Sequence, residues 1–258
     1  MSSLFFEIKN SIAFITLNRP DKYNAFNREM GLALQEKLDQ CEKNIAVRCV
    51  FITGAGKGFC AGQDLGEVIQ SPQSQVERAV REIYNPIVSK IRKLSKPVVA
   101  AVNGIAAGAG ANIALCCDIV VASENAYFTQ AFSKIGLIPD SGGTYFLPRL
   151  VGIQKAAALM MLADKVSAAD AERMGMIYKY FPAVSFIEEA EKIATDLSKL
   201  PTRALAFTKE ALNKSFEQTL EQQLSTEDIL QQKAGATNDF KEGVSAFIEK
   251  RKADFKGD

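Results

Sequence analysis

KPVVAAVNGIAAGAGANIALCCDIVVAS, residues 96–123, reads as one strand–helix–strand unit. Residues 96–104 form a short apolar run with β-branched members, too brief for a helix and apolar on both sides, so they read as a fully buried strand. Glycines and alanines crowd 104–111, where the main chain can be approached closely. A helix opens there, in GAGANIALCCD, and IVVASENAYFT (119–129) returns as a strand.

The same alternation extends towards the N-terminus. SIAFITL (11–17) reads as a strand stopped by Asn18-Arg19-Pro20-Asp21, and VRCVFITG (47–54) as another. Between them MGLALQEKLDQCE is helical, with Met30, Leu32, Leu34 and Leu38 as its apolar side. GAGKGFCAGQDL (54–65) is a glycine-rich loop, and 76–94 is helical through Val80, Ile83, Ile87, Val88 and Ile91. Beyond about residue 130 the expected strands stop and helical segments follow, ending in DFKEGVSAFIEKRKADF. The fold class is therefore α/β. Pro201 breaks the helical run, so the expected division is a core at 1–197 and a C-terminal helical region at 198–258 whose apolar positions meet other copies of the chain.

Composition removes whole classes of function. With 31 basic and 30 acidic residues in 258, the chain lacks the charge excess of a nucleic-acid or membrane-surface binder. It contains no histidine, which excludes Ser-His-Asp and Cys-His catalysis and the commonest transition-metal ligand. Carboxylate, lysine, tyrosine and thiolate chemistry remain, together with backbone dipoles. The cysteines Cys41, Cys49, Cys60, Cys116 and Cys117 are odd in number and lack C-x-x-C spacing, as expected for reduced thiols filling a core. MSSLFFEIKN shows no signal-peptide pattern and no segment has membrane-span length, so a cytoplasmic protein is expected.

Two glycine motifs fail as nucleotide sites. GAGKGF lacks both the G-x-x-x-x-G-K spacing and the Ser/Thr that holds magnesium, and GAGANIA fits the dinucleotide fingerprint loosely, without a clear acidic residue at the ribose position. Another chemistry fits better. A helix opening on small residues aims unpaired N–H groups at a ligand, and Cys60-Ala61-Gly62 offers a second small turn. Two such donors around one oxygen make an oxyanion hole. The plainer alternative is two tight turns. Asp140, in IGLIPDSGGTYFLPRLVG, also has two readings: an ordinary turn aspartate, or a carboxylate among Phe132, Ile135, Leu137, Ile138 and Phe146 whose desolvation raises its pKa and suits it to abstract a C–H proton.

GFCAGQDL, AAVNGIAAGAGANIALCCDIVVAS, IGLIPDSGGTYFLPRLVG and AFIEKRKADF together resemble the crotonase family, the enoyl-CoA hydratase/isomerase superfamily, from the first strand to the last helix. The resemblance implies a spiral of ββα turns and a C-terminal helical region that assembles trimers or dimers of trimers. It implies an acyl-CoA substrate with no separate cofactor and no metal. The thioester oxygen would lie between the N–H groups of Ala61 and Ala109. Coenzyme A would run along Asn18–Lys22, past Lys22 and Ala25 and over Gly62, Gln63, Asp64 and Leu65, with Phe132 at the acyl group. Phe247 and Lys250 would meet its adenine end, from this chain or a neighbouring subunit; the plain reading of Lys250–Lys252 is a solvated helix face.

The departures from the family pattern matter as much. Hydratases of the family carry two glutamates at positions that read Asn112 and Phe132 here, whereas family isomerases place a carboxylate in the I-P-x-x-G-G loop, where this chain has Asp140. The resemblance is closest to the ring-oxepin isomerases that act on epoxyphenylacetyl-CoA and also shift double bonds. The expected activity is thus isomerisation by Asp140, with a hydratase and a catalytically silent acyl-CoA binder as the alternatives.

Overall fold

The computed structural model describes residues 2–64, 66 and 76–258. Its first sheet is built from β1 (Leu4–Lys9), β2 (Ile12–Leu17), β3 (Cys49–Gly54), β5 (Val98–Val102), β7 (Ile119–Ser123) and β10 (Lys179–Phe181), in the order β1-β2-β3-β5-β7-β10. β1 and β2 form an antiparallel hairpin, and the remaining neighbours are parallel. The second sheet holds β4 (Gly58–Cys60), β6 (Ile105–Ala107), β8 (Tyr127–Thr129) and β9 (Val166–Ser167), in the order β4-β6-β8-β9. Successive units thus give a long strand to one sheet and a three-residue strand to the other before the chain turns into helix. This is the crotonase-like α/β spiral of ββα units.

The long strands are apolar throughout because both faces are covered. Side chains alternate across the pleat: Ile12, Cys49, Phe51, Val99, Ala101 and Val121 meet Phe186, Ala190 and Ala194, whereas Ala13, Ile15, Val50, Ile52, Val98 and Ala100 enter the main core. The helices are α1 (Arg28–Lys43), α2 (Asn85–Lys93), α3 (Ala109–Leu115), α4 (Gly143–Val151), α5 (Ile153–Leu162), α6 (Ala168–Arg173), α7 (Phe186–Ser198), α8 (Thr202–Ser215), α9 (Leu220–Gly235) and α10 (Asn238–Ile248). α1 buries Met30, Leu34, Leu38 and Cys41, an i, i+4 stripe from which Leu32 diverges to the exposed side.

Several expectations need correction. β1 was not foreseen; it pairs with β2 through a tight turn at Asn10 and Ser11, both at positive φ, the geometry of a two-residue hairpin. Strands do not stop near residue 130, since β9 and β10 complete the two sheets. The glycine-rich loop contains β4, whose three residues are too few to show alternation. The last helix ends at Ile248, short of the basic triplet: Lys250 takes a left-handed backbone, and the tail returns so that Lys256 and Gly257 donate N–H bonds to the Asp239 carboxylate.

A π-helical turn at Ala79–Tyr84 precedes α2. Pro86 has no N–H to give the Glu82 carbonyl, and the Gln35 side chain supplies that donor at 2.8 Å. The turn carries Tyr84 inward, edge-on to Phe26 with ring centroids 5.9 Å apart. No described helix is long and apolar enough to cross a membrane.

Candidate active site

A cavity of about 430 Å³ lies where the second sheet meets the start of α3. Ala61, Gly62, Gln63, Gly108, Ala109, Phe132 and Asp140 all line it, and Val76, Ala79, Tyr84, Ala131, Lys134, Ile135 and Leu137 complete the wall. Residues from four separate parts of the sequence therefore face one mostly apolar space, the ordinary form of a small-molecule site.

Main-chain donors define its polar end. The segment 23–26 runs beside 61–64: Ala61 donates its N–H to Tyr23 O at 2.9 Å, Phe26 to Gly62 O at 2.7 Å, and Asp64 to Phe26 O at 2.8 Å. Ala61 therefore cannot be the oxyanion donor expected of it, because its N–H is already spent. Phe26 and Gln63 form a parallel bridge, in which the flanking peptides bond the partner and the N–H of Gln63 itself points away. Among the described residues that N–H has no partner, and neither has the N–H of Ala109 at the first position of α3. The two are neighbours in space, since a Cβ placed on Gly62 would stand 3.6 Å from Ala109 N. Gln63 and Ala109 thus bring two N–H groups without partners among the described residues to this end of the cavity. Sequence reading placed Gln63 in the site but gave it another role.

Asp140 is half-buried on the same cavity, and burial pushes its carboxyl above the usual carboxylate range, against the opposing effect of the Ser141 hydroxyl, which donates to Oδ1 at 2.8 Å. A carboxyl raised above its ordinary value holds a proton more readily than a free aspartate does. Phe132 is buried against Gly108 and presents only its ring. Asn112 does not line the cavity; it is buried behind the Asp140 loop and donates from Nδ2 to Asp140 O at 2.8 Å.

The residues expected along coenzyme A lie beside this centre. Arg19 donates to Ala25 O at 2.6 Å and pairs with Asp64 at 2.7 Å, and its guanidinium holds the Asp64 carboxyl below its ordinary range. The Asn24 side chain, fully buried, donates to Ala55 O at 2.9 Å and Gly58 O at 2.7 Å and accepts from Arg19 N at 2.8 Å. These bonds fasten the turn that carries exposed Lys22 to the loop that carries Gln63. The Tyr84 hydroxyl donates to Gln63 Oε1. Leu65 lies outside the described residues. Phe247 is 86% exposed, and neither it nor Lys250 lines the cavity. The cysteines are all free and buried.

The enoyl-CoA hydratase/isomerase family pattern matches residues 7–258. The chain is 43% identical to the 1,2-epoxyphenylacetyl-CoA isomerase of Escherichia coli, over 100% of this chain and 99% of that protein. It is 42% identical to a Rhodobacter capsulatus protein named "Probable enoyl-CoA hydratase", over 98% and 97% of the two chains. The crystal structure of enoyl-CoA hydratase from Bacillus anthracis superposes with a TM-score of 0.95 at 32% identity, covering 99% of this chain and 100% of that one. The chain belongs to the enoyl-CoA hydratase/isomerase family.

Proposed function

We propose that the protein is an acyl-CoA isomerase whose base is Asp140. The observation that carries this reading is the placement of a raised carboxyl on the same cavity as two unspent N–H groups, while the two positions that carry glutamate in hydratases hold an amide and a phenyl ring. In a β,γ-enoyl-CoA, the Asp140 carboxylate takes the α-proton and the electron pair moves onto the thioester oxygen, giving an enolate held by Gln63 N–H and Ala109 N–H. The carboxylic acid then returns the proton to the γ-carbon as the conjugated α,β-thioester forms. Each such donor is worth about 2.7–4 kcal/mol in the transition state, and a positioned base adds on the order of 10²–10⁴ in rate. The same enolate beside an epoxide provides the electron pair for ring opening, a use supported by the likeness to the epoxyphenylacetyl-CoA isomerase.

The same reading includes a cytoplasmic enzyme with no metal or separate cofactor, assembled as a trimer or dimer of trimers through residues 198–258. A hydratase is the second reading, supported by the relatives that bear that name. One assay separates these and the silent binder: with a β,γ-enoyl-CoA, conjugated-thioester absorbance rises for an isomerase; with crotonyl-CoA it falls for a hydratase; with neither does it change for a binder. Hydration of crotonyl-CoA at a rate above β,γ-isomerisation overturns the proposal.

A further inference from the structure

Asn112 Nδ2 donates to the main-chain carbonyl of Asp140 at 2.8 Å, and its Oδ1 accepts from Gln130 Nε2 at 2.7 Å. Both side chains are buried, Asn112 to 1% exposure and Gln130 to 4%. Gln130 Oε1 is buried with no partner among the described residues. Resting on the assignment of Asp140 as the base, we propose that Asn112 and Gln130 form a clamp that aims the Asp140 carboxyl into the cavity, Asn112 being the positioning residue.

The direction of each bond follows from chemistry. The Asp140 carbonyl only accepts, so the amide nitrogen of Asn112 must face it; Asn112 Oδ1 then needs a donor, which Gln130 provides. A carboxylate at position 112 would set two acceptors against one another. The turn itself does not need the clamp, because Gly143 N–H already closes it on Asp140 O at 2.8 Å. What Asn112 adds is a tie from the loop to α3, the helix that presents Ala109 N–H. Just before the carboxylate the loop is more open: Ile138 is 81% exposed and Leu137 lies between the cavity and solvent. The approach is so close that a Cβ on Gly143 would lie 2.3 Å from Asn112 Nδ2, which reserves that position for glycine. The base and one oxyanion donor are thereby fixed to one another through a single seven-residue helix.

The test is steady-state kinetics with a β,γ-enoyl-CoA across pH. The ionisable groups sharing the cavity with Asp140 are Lys134, on the preceding turn, and Tyr84, opposite; α3 carries none, and on α4 Arg149 lies over the Tyr145 ring at 3.7 Å. Asn112→Ala is expected to lower kcat by about 10²-fold, the scale of a small misplacement of a catalytic group, with KM little changed. The acid limb of kcat/KM moves to lower pH as the freed Asp140 carboxyl gains water, a shift that plain loss of stability would not produce. Gln130→Met guards against misfolding: it removes the donor and the unpartnered oxygen together, and is expected to keep the melting temperature while lowering kcat to a lesser degree with the same pH shift. A folded Asn112→Ala or Gln130→Met with parental kcat and an unmoved acid limb overturns the clamp. Asp140→Asn, assayed alongside, separates the two ideas: if it is inactive while the clamp variants are unaffected, only the clamp falls; if it turns over like the parent, the proposed function falls and the clamp with it.

Discussion

Gly62 sits so close to the start of α3 that a Cβ on it would meet the Ala109 amide nitrogen at 3.6 Å, and the next peptide along, that of Gln63, shares this approach with its N–H unspent. The hydrogen bond from Ala61 N–H to Tyr23 O performs a different task, holding the loop to the turn at 23–26. Proline substitution, which deletes an N–H, separates the roles. Gln63→Pro is expected to cost 10²–10³ in kcat, about 2.7–4 kcal/mol, in a protein that remains folded by circular dichroism. Ala61→Pro is expected to lower the melting temperature first. The reverse pattern would return the donor role to Ala61.

Burial raises the Asp140 carboxyl above its ordinary 3.8, and the sign of the consequence for stability is definite. A carboxyl with a raised folded-state pKa stabilises the fold while protonated, below 3.8, and that contribution is lost as pH rises through the raised value. At neutral pH the charged group therefore weakens the fold. Asp140→Asn is expected to raise the melting temperature at pH 7 while reducing isomerisation by on the order of 10²–10⁴. Parental activity rises with pH along an acid limb lying above the ordinary aspartate range. A thermal scan and a pH–rate profile check both halves.

The cysteines offer a test of packing. Burial pushes the Cys41 thiol up to about 11 and the Cys60 thiol up to about 12, so at pH 8 neither has appreciable thiolate, the reactive form. Native protein is expected to leave a disulfide dye almost uncoloured, whereas protein in guanidinium titrates five thiols. Rapid labelling of the folded chain would contradict the buried placement.

What the sequence disclosed and what it hid follow from range. The runs at 49–54, 98–102 and 119–123 were readable because strands buried on both faces must be apolar throughout. β4 and β6 were not, because three residues each, GFC and IAA, carry no periodicity. Ala109 was legible from its place at a helix start, a local property. The choice between Ala61 and Gln63 was not, because it depends on where the Tyr23 carbonyl lies, and nothing within the GFCAGQDL stretch reports that. Asn112 was legible as the absence of a glutamate, while its bonds to Asp140 and Gln130 needed the fold to bring 112, 130 and 140 together.

Far from the cavity, Lys209 on α8 is buried against the core and donates to Asp118 at 2.7 Å, to Ile91 O at 2.6 Å and to Lys96 O at 3.3 Å, while Arg92 meets the same carboxylate at 3.0 Å. The two cations share one acid, so the two ways of breaking the cluster are unequal. Lys209→Met leaves Asp118 with Arg92 and is expected to be the milder change. Asp118→Asn leaves a buried ammonium without a counter-charge, a loss of about 3–5 kcal/mol. Burial already lowers the Lys209 pKa against the raising effect of Asp118, and without that carboxylate it falls further. Between the lowered folded value and 10.5 the unfolded chain binds the proton that the folded one has released, so stability rises with pH there. Asp118→Asn is therefore expected to recover stability between pH 7 and pH 10 more steeply than the parent. Urea denaturation of both proteins at the two pH values measures this difference, and equal pH slopes would show that Lys209 keeps its proton without Asp118.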